Sequence, residues 1–177
     1  MVLHDFWTFF IWSTVAGLAI IGIYQLLLLI LRARGVFVTR TKFGLTMIFD
    51  SEDADGTPIR LLNVNGTFQS VSYIASELRF ELCVHYHRMM AQLIQQVAPQ
   101  GRVVILGGGG FSLPKYLATH MRGATVKAIE IDPKIVSLAR EHFFLDEALA
   151  VASSELRVIE DDAWKVLQNA DAGSIDV

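Results

Sequence analysis

The stretch Val103-Val104-Ile105-Leu106-Gly107-Gly108-Gly109-Gly110 decides how this chain is read. A short unbroken apolar run is what a parallel strand buried on both faces requires. The glycines after it supply a turn free to take unusual φ/ψ, with no Cβ to block a ligand. A helix follows at residues 113–121, with Pro114 tolerated in its first turn. Strand, glycine turn and helix N-terminus in that order favour an anion or carboxylate at the turn.

Downstream the alternation continues. Residues 125–131 read as a second strand and Pro133 opens a second helix, to about Phe143. Residues 156–160 form a third strand, residues 163–169 a third helix, and Ile175-Asp176-Val177 the start of a fourth strand. The expected class is α/β, the first half of a doubly wound, mostly parallel Rossmann-like sheet. With one wing of such a sheet in view, the sequence reads as a fragment.

Upstream, Pro99-Gln100-Gly101 ends a helix expected to run from an N-cap at Ser76 to Val97, with Leu78, Leu82, Met89, Leu93 and Val97 as its apolar stripe and Tyr86 in line. Before it, residues 36–42 and 45–49 alternate around Phe43-Gly44. Residues 51–56 make an acidic turn. Residues 59–64 and 67–74 flank Asn65-Gly66, a strong hairpin signal. This is a small antiparallel β unit.

From Phe6 to Leu31 about 26 residues pass without a Lys, Arg, Asp or Glu, roughly 39 Å of helix against a bilayer core of about 30 Å. The run is too long for a signal peptide and no basic n-region leads it. One transmembrane helix is expected here, in contact with the lipid bilayer. Arg32, Arg34, Arg40 and Lys42 follow the span and no Lys or Arg precedes it. The positive-inside bias makes this a single-pass protein of the cell membrane with its α/β domain cytoplasmic. Trp7, Phe9 and Trp12 suit the opposite interface. The expected division is an anchor at 1–34, the β unit at 35–75, and a linking helix with an incomplete nucleotide-binding domain at 76–177.

The net charge of −3 offers nothing to nucleic acid. Cys83 is the only cysteine, which excludes a disulfide framework and a thiolate metal cluster and suits inert packing. No metal site is expected, and homo-oligomerisation is left open.

Four acids stand at or just after two strand ends. Glu130, about 23 residues past Gly107, stands where Rossmann-like folds bind ribose hydroxyls. Asp132-Pro133 opens the next helix. Asp161-Asp162-Ala163 can accept from an adenine amine, cap a helix, or do both. The succession Val103 to Gly109, Glu130-Ile131-Asp132-Pro133 and Asp161-Asp162-Ala163 resembles the cofactor motifs of the spermidine synthase family. Asn65-Gly66-Thr67-Phe68-Gln69-Ser70 resembles that family's hairpin, and Tyr86-His87-Arg88-Met89 its helix.

The resemblance implies S-adenosylmethionine or decarboxylated S-adenosylmethionine as co-substrate, with an amine as small-molecule acceptor. It places Gln69, Gly107, Gly108, Gly109, Glu130, Asp162 and Ala163 at the cofactor, and Tyr86 and His87 at its boundary with the acceptor. The family's catalytic acid is expected beyond Val177. Two departures stand out. The family's acid after the third glycine is Gly110 here, followed by Phe111, and its helix glutamate is Arg88. Both remove attraction for a polyamine cation. Three rivals therefore stay open: an S-adenosylmethionine-dependent methyltransferase, a nicotinamide-dependent oxidoreductase, and a non-catalytic membrane protein that keeps the fold.

Overall fold

The computed structural model describes the backbone of residues 2–177 and the side chains of residues 7–177, so the Phe6 side chain at the start of the expected span lies outside the described residues. The chain divides into two compact units, Met1–Val38 and Thr39–Val177. The first holds α1 (Val2–Ala33). Its Trp7–Ala33 stretch is long and apolar enough to cross a membrane and is not buried inside the protein.

A four-stranded antiparallel sheet follows, in the order β1 (Phe37–Thr41), β2 (Gly44–Glu52), β3 (Pro58–Val64) and β4 (Thr67–Tyr73). Asn65 and Gly66 both have positive φ, 52° and 86°, as their hairpin requires. The β3–β4 ladder pairs Leu62 with Ser70 but Asn63 with Phe68. Gln69 is the extra residue, and this bulge frees it from the ladder.

The helix expected from Ser76 begins later. Turns occupy residues 76–80, a bend falls at Glu81, and α2 spans only His85–Val97. Tertiary contacts replace the missing helical turns. Leu82 is buried in the core, Arg79 pairs with Glu147 and lies over the Phe144 ring, and Glu81 meets His120 at 2.9 Å. The expected stripe is not the buried face of α2 either. Ala91 and Ile94 are buried, whereas Tyr86, Met89, Leu93 and Val97 are exposed.

The parallel sheet has the order β5 (Arg102–Leu106), β6 (Thr125–Glu130), β7 (Glu155–Glu160), in register from Arg102↔Thr125 and Thr125↔Glu155. Its helices are α3 (Ser112–His120), α4 (Pro133–His142), α5 (Leu145–Val151) and α6 (Ala163–Gln168). Helix α5 is absent from the expected pattern. It starts after Phe144 in the left-handed region, with no side-chain cap, and only Asp146 and Glu147 in its first turn mark it. Val103, Val126, Ala128, Leu117 and Ala139 pack between the sheet and its helices. On the other edge of β5, Asp176 N–H donates to the Arg102 carbonyl and Val104 N–H to the Val177 carbonyl. The last residues thus pair along the edge where a fourth strand is expected.

Candidate functional site

A cleft of about 610 Å³ lies at the C-terminal end of β5 and β6, within the size range of small-molecule sites. Glycine geometry shapes its floor. Gly107 and Gly109 have φ of 93° and 52°. A Cβ on Gly109 would stand 3.2 Å from the Gln69 carbonyl, and one on Gly108 would overlap the Phe111 ring. The bulge at Gln69 and the buried ring of Phe111 therefore grip the turn from two sides, and only glycine fits between them.

Glu130 ties the turn to the sheet. Its Oε2 accepts from Gly108 N–H at 2.9 Å and Gly109 N–H at 3.2 Å, and its Oε1 from Asp132 N–H at 3.0 Å. An ionised carboxylate has about four lone-pair sites. Three are engaged, so one remains open to a ligand's hydrogen, and a second such bond requires a glycine amide to let go. Asp132 accepts in turn from Lys42 N–H at 2.6 Å and caps α4 through Lys134 N–H.

Of the residues expected at the cofactor, the cleft brings together Gln69, Gly107, Gly108, Gly109 and Glu130, with Tyr86 and His87 beside them. Asp162 and Ala163 do not line it. Asp162 caps α6, accepting from Trp164 N–H at 2.8 Å. His87 Nδ1 is buried and meets no hydrogen-bond partner among the described residues. Burial also pushes the His87 imidazolium below its usual range, which favours a neutral ring. The open carboxylate site on Glu130 fits a ligand that carries hydroxyl or amine hydrogens.

Arg88 corrects one expectation. It is exposed, donates to the Cys83 carbonyl at 3.3 Å, and does not line the cleft. The reversed charge is therefore not at the site. Gly110 does not line the cleft either but packs behind its turn: a Cβ there would stand 2.7 Å from Ser70 Oγ and 3.0 Å from the Phe143 ring. Sequence reasoning missed Ser70, Ser112 and Lys115. Lys115 is wholly buried, donating to the Phe143 carbonyl and Ser72 Oγ, and burial pushes its pKa down to about 7. Cys83 is inertly placed, its thiol pushed up to about 11 by burial.

No family model matches the chain. Over 95 residues it is 35% identical to the polyamine aminopropyltransferases of Stenotrophomonas maltophilia strains K279a and R551-3, a stretch covering 52% of this chain and 32% of each relative. The match thus spans about a third of the curated relatives' length. A probable spermidine synthase from Corynebacterium glutamicum superimposes with a TM-score of 0.59 at 21% identity, over 79% of this chain and 49% of that one. Spermidine synthase from Thermotoga maritima gives 0.53 at 16% identity, over 75% and 42%. Over the part of their length that it spans, the chain is similar in sequence to the polyamine aminopropyltransferases and shares the spermidine synthase fold.

Proposed function

We propose that this chain provides the adenosyl-sulfonium half of an aminopropyltransferase-like site, anchored to the cell membrane by α1 with the α/β unit on the cytoplasmic side. The observation that carries the reading is the glycine turn clamped by Glu130 at the mouth of the cleft. The division into an anchor at 1–34, a β unit at 35–75 and a nucleotide domain at 76–177 belongs to the same proposal.

Glu130 and the turn hold the nucleoside, and His87 and Gln69 face the reacting end. A bound sulfonium activates its neighbouring carbon towards in-line displacement by an amine. The described residues bind and orient; none is assigned as the base.

A methyltransferase reading is favoured by one observation. Gly110 has no room for the acid that the resemblance would place there, because Ser70 Oγ fills that position. Calorimetric titration of the full chain in detergent, with decarboxylated S-adenosylmethionine, S-adenosylmethionine and NADH, separates the readings. Binding of an adenosyl sulfonium is expected, and binding of NADH alone would refute the proposal.

A further inference from the structure

Among the described residues, the side chains that line the cleft carry a single carboxylate, Glu130, and three backbone N–H groups already bond to it. No Lys, Arg or Asp lines the cleft, and burial favours the neutral ring of His87. Its polar side chains Asn65, Gln69, Ser70 and Ser112 are uncharged.

Apolar side chains supply much of the remaining wall. Phe43, Tyr86, Met90 and Leu106 all line the cleft, yet stay between 46% and 56% exposed. Tyr86 and Met90 stand one turn apart on α2 and share a face. Phe43 comes from the β1–β2 turn and Leu106 from the end of β5. Large apolar side chains that three separate elements bring to one cleft and leave uncovered mark a surface for a ligand. Lys42 Nζ stands 5.9 Å from the centre of the Phe43 ring, which puts a positive charge beside this wall.

The charges decide what can lie there. A sulfonium ligand brings one positive charge, which the Glu130 carboxylate balances. A diamine would add two more, with no further carboxylate in the lining to meet them. An ion taken from water without a partner is costly, whereas a methyl group in the same place gains by leaving water. We propose that the cleft takes as acceptor a monoamine with an apolar body and discriminates against diamines. This rests on the nucleotide reading above, which supplies the sulfonium.

The test is titration of the full chain in detergent with pentylamine and 1,4-diaminobutane, with and without methylthioadenosine. The two amines have the same chain length, and one ends in a methyl where the other ends in an ammonium. Near pH ~7 every amine group is charged in water. Pentylamine should bind the unmodified chain at least about tenfold more tightly. Met90→Glu sets a carboxylate on the apolar wall and should shift that ratio about three- to tenfold towards the diamine. Equal binding, or tighter binding of the diamine, by the unmodified chain would overturn the proposal whether or not the variant folds. So would an unchanged ratio in a folded Met90→Glu, and so would failure of both amines to bind. A preference for pentylamine without any binding of methylthioadenosine would uphold the selectivity and overturn the nucleotide reading instead.

Discussion

Lys115→Met should stabilise the unit Thr39–Val177 in mild acid and destabilise it in alkali. Lys115 lies wholly buried on α3, and burial pushes its pKa from 10.5 to about 7, ahead of smaller effects from Cys83, Glu147 and Arg79. The unfolded chain keeps the proton to about 10.5, whereas the folded chain releases it near 7. The unfolded state therefore binds more protons across that window, and stability rises as pH climbs through it. A shift of this size corresponds to roughly 4–5 kcal/mol. Methionine keeps the unbranched stem but leaves the Phe143 carbonyl unpaired, at a cost of about 1–3 kcal/mol. Near pH ~6 the variant should be the more stable by about 1–4 kcal/mol, and near pH ~10 the less stable. Cys83 ionises more readily once unfolded and so destabilises both proteins above about pH 9, which largely cancels in the difference. Denaturant unfolding in detergent at the two pH values reads this directly. A difference of one sign and one size at both would refute the reasoning.

Two further outcomes follow from contacts already described. Gly110→Asp should lower the melting temperature, through about 1–3 kcal/mol of overpacking against Ser70 and Phe143, and should not improve amine binding; an unchanged melting temperature would show that Ser70 yields. Protease added to intact cells should leave the α/β unit uncut, given the basic flank after the span, and cleavage without permeabilisation would reverse the orientation.

The parts of the fold legible in the sequence are those with local causes. Asn65-Gly66 needs positive φ at both residues, and the apolar run before the glycines does form β5, although only Val103 is buried and Leu106 is exposed rather than covered on both faces. The start of α2 is not legible, because residues 76–84 are held by distant partners, Glu147 and His120, that periodicity cannot see. At the site, Glu130 and the glycines stand out through their spacing. The bulge at Gln69 depends on a register shift, and the burial of Lys115 on packing against the loop at Phe143; neither leaves a mark in its own segment. Position in a motif puts Arg88 near the site, yet the rotation of α2 turns it towards the Cys83 carbonyl.

In the proposed site Glu130 clamps the glycine turn that holds the nucleotide. This is tested most directly by titrating the full chain and Glu130→Gln with decarboxylated S-adenosylmethionine in detergent. Glutamine keeps the shape but removes the charge and one acceptor oxygen, so affinity should fall by about 1.5–3 kcal/mol, roughly ten- to hundredfold in Kd. Equal affinities for the two proteins would remove Glu130 from the site.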